Sequence, residues 1–170
     1  MARSRAVDRG PPVLLAIVAA LLGSLGWGWY TGGLITARIP ATVIRDIDGD
    51  TVVAQLPRGR IETVRLLGAD TPEVVDPRKP VQCFGHAASA YTAAHLVGRR
   101  VTLELDAEPR DKYGRLLAYV LVDGHRFDDE LLAGGYARFL VIPPNGAHAR
   151  ALLSAELSAR AERRGLWGAC

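Results

Sequence analysis

Five short apolar runs separated by turn residues, with a helical segment between the third and fourth, predict an α+β domain. Five strands of this length close best into a small barrel, and the apolar faces of the helices need a sheet to cover. The expected architecture is therefore an OB-fold five-stranded β-barrel with three packed α-helices, preceded by an N-terminal apolar helix. At 170 residues the chain holds one such domain and a terminal extension.

The extension comes first. Residues 1–12 form a short basic segment with Arg3, Arg5 and Arg9. Residues 10–37 carry no charge, and 13–30 are apolar, small or aromatic throughout. Eighteen helical residues span roughly 27 Å, close to the hydrocarbon thickness of a bilayer. Basic residues before the segment orient it with its N-terminus in the cytoplasm, and Trp27, Trp29 and Tyr30 fall where an interfacial belt would lie. Two readings stay open: an uncleaved anchor that associates the protein with the membrane, or a signal peptide with its h-region in 13–25. Either one exports the domain, which is expected outside the cytoplasm, anchored or secreted. Residues 31–40 read as a linker and 41–170 as the exported domain.

Charge excludes one class of function. The net +3 rests mostly in the extension, and the remainder holds 18 basic against 17 acidic residues. Such a domain does not attract nucleic acid by bulk charge, so phosphate contacts must come from individually placed arginines. The two cysteines, Cys83 and Cys170, have neither C-x-x-C spacing nor a histidine at a zinc-site interval. They are either two unrelated thiols or, in an oxidising compartment, a disulfide. A bond closing a loop of that length is worth roughly 4–5 kcal/mol in the chain-entropy model.

Along the domain, residues 41–46 and 51–56 read as strands joined by the acidic turn Asp46-Ile47-Asp48-Gly49-Asp50, and 61–67 as a third strand. Residues 74–80, between Pro72 and Pro80, form a surface loop. Residues 85–97 read as a helix with Ala87, Ala88, Tyr91, Ala94 and Leu96 on one face, stopped by Gly98. Strands are expected at 101–106 and 115–122. Asp128 is expected to cap a short helix at 130–133, which Gly134 and Gly135 end. Pro143 and Pro144 mark a loop, and a last helix is expected at 147–164 with Leu152, Leu153, Leu157 and Ala161 inward.

Asp46-x-Asp48-Gly49-Asp50 fails as an EF-hand, because its glycine comes too early and Pro57 stands where the bidentate Glu belongs. A meander nevertheless brings this turn beside the end of the third strand. Asp50, Asp70 and the carbonyl of Thr71 would then face one point, with water completing the shell. An all-oxygen, loosely shaped set suits Ca²⁺, with Mg²⁺ the nearer rival and Zn²⁺ disfavoured. Glu73 lies close enough to act as general base on a water. Arg65 and Arg115, both expected on strands, offer bidentate donors to a phosphate. The four histidines lack mutual spacing, and the pairs Arg99-Arg100 and Arg163-Arg164 read as partners of helix ends.

Asp48-Gly49-Asp50-Thr51, the run from Arg65 to Glu73 (RLLGADTPE), Phe84-Gly85-His86-Ala87-Ala88-Ser89 and the run from Asp111 to Tyr119 (DKYGRLLAY) together resemble the staphylococcal nuclease, or thermonuclease, family. The resemblance covers residues 41–167. It implies an OB-fold barrel with three helices and a Ca²⁺-dependent nuclease of broad DNA and RNA specificity, acting on single-stranded or locally opened substrate as a monomer. The product would keep its phosphate on the 3′ side. By the same resemblance Asp50, Asp70 and Thr71 match the calcium ligands, and Glu73, Arg65 and Arg115 the catalytic set. Asp48 matches an acid that orders the metal's waters, and Lys112 and Tyr113 match residues that hold a terminal phosphate. The family's base-stacking aromatic beyond the second helix has no counterpart in 139–145 other than Phe139. The competing reading is a non-catalytic barrel that binds nucleic acid or protein. Such a module has no use for Asp50, Asp70 and Glu73 together with two arginines.

Overall fold

The computed structural model describes residues 35–170 apart from Lys79. The apolar segment 13–30 lies outside the described residues. Among the described residues no helix is long and apolar enough to cross a membrane.

Strands β1 (Ala37–Asp46), β2 (Thr51–Gln55), β3 (Ile61–Leu66), β5 (Arg100–Leu105) and β6 (Leu116–Val122) form the barrel. The order β3-β2-β1-β5-β6 is antiparallel between neighbours, and a parallel β3–β6 pairing closes it. A register irregularity between Val43 and Arg45 bends β1, the device by which a long strand turns a barrel corner. Closure leaves β-branched and leucine side chains nowhere to go but inward. Val43, Val52, Val64, Leu66, Leu103, Leu117 and Val120 are fully or almost fully buried. Strand β7 (His125–Arg126) extends the sheet, while β4 (Gly68–Asp70) and β8 (Arg138–Leu140) make a separate two-stranded ribbon.

Helices α1 (Gly85–Leu96), α2 (Phe127–Ala133) and α3 (Ala149–Ala161) pack against this barrel, and a single turn, α4 (Leu166–Ala169), comes last. The expected barrel and three helices are thus present, with differences that have local causes. Strand β1 starts four residues earlier than expected because Ala37–Thr42 pairs with Leu105–Arg100. The expected third strand breaks at Leu67, where Gly68 adopts a φ of +79°. A Cβ there would lie 2.3 Å from Leu152 Cδ1, so glycine answers both the left-handed backbone and the close approach of α3.

Two helical faces differ from expectation. In α1 the buried side is Gly85, Ala88, Thr92 and Leu96, with Tyr91 packed against the core, while Ala87 and Ala94 of the expected face are exposed. Thr92 enters it because its hydroxyl donates to the carbonyl of Gly49 at 2.6 Å. In α3 the buried residues are Leu152, Glu156 and Ala159, whereas Leu153 and Leu157 are exposed. Glu156 can be buried because Arg160 covers it, donating to its carboxylate at 2.8 Å. The last helix is shorter than expected, ending at Ala161, and the turn through Gly165 lets α4 fold back.

Asp128 does not cap its helix. The N-cap of α2 is Arg126 without a side-chain cap bond, and Asp128 lies fully buried, accepting the Val120 N–H at 2.9 Å. Burial pushes its carboxyl up to about 8, the nearby charge of Asp129 adding to the effect. The folded state therefore holds this proton more tightly than the unfolded chain, whose aspartate titrates near 4. Its contribution to stability is fully present below pH 4 and is lost as pH rises towards 8, by at most about 1.4 kcal/mol per pH unit. Urea unfolding of wild type and Asp128→Asn at pH 5 and pH 8 should show a smaller pH dependence in the variant. Equal pH dependence would mean that Asp128 is not the group responsible.

Candidate active site

The site is built where the acidic turn between β1 and β2 meets the end of β4. Asp46 shapes the turn by accepting the Gly49 N–H at 3.1 Å and the Ser89 hydroxyl at 2.6 Å. Gly49 has a φ of +88°, and a Cβ would press on the Thr71 hydroxyl and on the α1 backbone at 3.1–3.2 Å. Only a glycine lets the turn sit between helix and strand end. Thr71 then stitches the two segments together. Its N–H donates to Asp50 Oδ2 at 2.7 Å and its hydroxyl to the carbonyl of Asp48 at 2.7 Å.

Arg65, in β3, spans the junction from below and is almost wholly buried. Nη1 donates to the carbonyls of Leu66 and Ala69 at 2.8 and 2.6 Å. Nη2 reaches Asp70 Oδ1 at 2.9 Å, and Nε lies 3.3 Å from Asp50 Oδ1. Three of its five N–H groups are thereby hydrogen-bonded and Nε faces Asp50 as an ion pair, leaving one N–H on Nη2. The arginine expected only to meet phosphate is first the bridge between the two carboxylates.

Asp48, Asp50, Arg65, Asp70, Thr71, Glu73, Gln82 and Arg115 line one cavity of about 330 Å³. No apolar side chain is among them. The cavity brings together seven of the sequence-predicted residues. Burial and the neighbouring Asp50 charge push the Asp48 carboxyl up to about 7. Burial also raises Asp70, only partly offset by Arg65, with Asp50 and Glu73 adding to the rise. Four carboxyl groups facing two arginines leave an excess of negative charge that the protein does not neutralise.

Arg115 differs from expectation. It precedes β6 rather than lying on it, and its Nε donates to Asp111 at 2.6 Å. Asp111 also takes the backbone N–H groups of Tyr113 and Arg115, each at 2.9 Å. Burial raises its carboxyl, but these bonds outweigh it and hold the group below the ordinary value. The arginine is aimed by a turn, not by a strand. Lys112 and Tyr113 stand outside the cavity wall. Tyr113 is strongly exposed, with Lys112 Nζ at 5.0 Å and Arg115 Cζ at 5.5 Å from its ring centre. Phe139, on β8, packs against the core, so its ring is not a free stacking face.

Glu73 closes the far side. Its Oε1 accepts the Val75 and Asp76 N–H groups at 2.7 and 3.2 Å. Gln82, which sequence reasoning missed, holds the same residue by its backbone, and nothing in its local sequence signals this. Cys83 and Cys170 are joined by a disulfide with Cα atoms 6.0 Å apart.

The donor set fits a hard cation in chemistry. It is all oxygen, the Asp48 Oδ1 atom is buried without a hydrogen-bond partner, and the local charge is negative. Among the described residues no three His, Cys, Asp or Glu side chains form a metal-binding group. Both Asp50 oxygens already accept protein donors. Any ion here would rest on few side chains, a carbonyl and water.

A barrel mouth carrying clustered carboxylates and two arginines around a polar cavity defines a phosphate-handling hydrolase site. The chain belongs to the staphylococcal nuclease family: the model for "Staphylococcal nuclease homologue" matches residues 63–169. It is 45% identical over 125 residues to a thermonuclease of Staphylococcus intermedius, covering 74% of each chain. A thermonuclease of Staphylococcus hyicus is 38% identical over 125 residues, 74% of this chain and 73% of the relative. The SPbeta prophage-derived endonuclease YokF of Bacillus subtilis is 38% identical over 131 residues, 76% of this chain but 44% of the longer relative.

Proposed function

We propose that the protein is a calcium-dependent nuclease hydrolysing phosphodiester bonds of DNA and RNA. The observation that supports this most is the convergence of Asp48, Asp50, Asp70 and Glu73 with Arg65 and Arg115 on one polar cavity. Asp50, Asp70 and the Thr71 carbonyl would hold the ion, with Asp48 ordering its waters. Ca²⁺ suits this sparse, water-rich set better than Mg²⁺, which demands closer octahedral geometry. When bound, the ion supplies Lewis acidity and neutralises phosphate charge.

Glu73 takes the proton of the attacking water as its oxygen bonds to phosphorus. The bond from phosphorus to the 5′ oxygen breaks, that oxygen gains a proton, and the phosphate stays on the 3′ side. The free N–H of Arg65 and the terminal nitrogens of Arg115 donate to the phosphoryl oxygens, most strongly when phosphorus is five-coordinate and carries extra charge. Lys112 and Tyr113, exposed beside Arg115, receive a terminal phosphate. The substrate is single-stranded or locally opened, the enzyme works as a monomer, and residues 13–30 export or anchor it.

Purified protein should cleave single-stranded DNA in Ca²⁺ and lose that activity in EGTA, with recovery on adding Ca²⁺ back. Binding of the DNA without Ca²⁺-dependent cleavage would replace the enzyme by a binding barrel. N-terminal sequencing of the mature protein distinguishes anchor from cleaved signal.

A further inference from the structure

Residues 71–78 and 80–82 have no regular structure, and Pro72, Pro77 and Pro80 lie among them. Within this loop the Glu73 carboxylate accepts the Val75 and Asp76 N–H groups and Asp76 pairs with Arg78. These bonds are local to the loop, so the placement of Glu73 depends also on how the loop's ends are fastened. Its neck is closed by one residue. The Gln82 N–H donates to the Glu73 carbonyl at 3.0 Å, and Gln82 Oε1 accepts the Glu73 N–H at 3.0 Å. This reciprocal pair fixes the N–H and the carbonyl of Glu73, a residue that lines the cavity.

Gln82 is itself fastened on its other side. Its carbonyl accepts the Gly85 N–H at 3.0 Å, at the start of α1. Gly85 is jammed against the same loop, since a Cβ would lie 2.5 Å from Val74 Cγ1 and 3.0 Å from the Pro72 carbonyl. The next residue, Cys83, is bonded to Cys170. That C-terminus is a firm anchor: Leu166 is buried and its N–H donates to the Gly135 carbonyl at 2.9 Å. The Trp167 ring has Arg160 at 4.1 Å and Arg138 at 5.6 Å from its centre. Arg138 in turn faces Asp70 across β4 and β8. The C-terminal turn thus ties the two walls of the cavity together, one through β8 and one through Cys83.

We infer that Gln82 is a positioning residue for Glu73, and that the Cys83–Cys170 bond keeps it in place. The inference rests on the reading of Glu73 as the proton acceptor. Gln82 does not act on substrate. It sets where the Glu73 carboxylate stands, so its loss should lower kcat and spare KM.

The test is kinetics of the full-length chain on single-stranded DNA in saturating Ca²⁺. Gln82→Ala should lower kcat roughly 10- to 100-fold, the range for small misplacements of a reacting group, with KM changed less than about twofold. Gln82→Glu keeps an oxygen that accepts the Glu73 N–H and should restore most of the rate. In a Glu73→Gln background, Gln82→Ala should cost little more, because both act at one point. Replacing both cysteines by serine should also lower kcat, at a temperature where circular dichroism shows the fold intact. Full additivity of Gln82→Ala with Glu73→Gln, or a Gln82→Ala effect confined to KM, overturns the positioning role while leaving the nuclease reading intact. An unchanged kcat in the double serine variant overturns the anchoring. Wild-type kcat in Glu73→Gln alone removes the reading on which both stand.

Discussion

Glu73→Gln is expected to lower kcat on single-stranded DNA by about two to four orders of magnitude and to leave the melting temperature nearly unchanged. Glutamine keeps an oxygen that can accept the Val75 and Asp76 N–H groups now bound to Glu73 Oε1. The loop therefore has no reason to move. What is lost is basicity, because an amide cannot take a proton from water near neutral pH. Single-turnover cleavage, set beside thermal unfolding of the same preparation, separates the two effects. A variant with near-full rate would place the proton acceptor elsewhere.

The two arginines should part company when each is replaced by alanine. Arg115→Ala is expected to cost roughly two to three orders of magnitude in rate, the scale of one lost donor to a charged transition state. Its stability cost should be ~1 kcal/mol, since the Arg115 side chain is 32% exposed and Asp111 keeps the Tyr113 and Arg115 backbone N–H groups. Arg65→Ala removes activity as completely but should also destabilise by about 3–5 kcal/mol. It strands the Leu66 and Ala69 carbonyls and leaves Asp50 and Asp70 facing each other without their bridge. Arg65→Lys keeps the charge without the planar fork and should fall between wild type and alanine in stability. Urea unfolding beside cleavage rates checks all three. Equal stability of Arg65→Ala and Arg115→Ala would show that the buried bridge carries no structural load.

Local rules located most of the site. Gly49 marked the turn, the apolar run 61–67 marked the third strand, and the order of acids and arginines marked phosphate chemistry. Local rules misread residues whose role is set by what covers them. Leu153 and Leu157 fit a helical stripe as well as Glu156 misfits it, yet Arg160 makes Glu156 tolerable inside. Asp128 has the residue type of a cap, but the Val120 N–H across the packing interface claims its carboxylate. Arg115 lies in a run that reads as continuous strand, and only the Asp111 turn takes it off the ladder.

What the sequence by itself determined was the barrel and the inventory of the site, because strand periodicity, turn glycines and the acid and arginine motifs are properties of neighbouring residues. The tertiary structure alone decided how those parts meet. It made Arg65 a bridge between Asp50 and Asp70 before it can be a phosphate donor, and it raised Asp48 by crowding it against Asp50 away from water. It also brought Gln82 to Glu73 and the C-terminal turn to Cys83. Each of these depends on chain closure over tens of residues, where free energy comes from burial and charge in a shared space rather than from the preferences of any one segment.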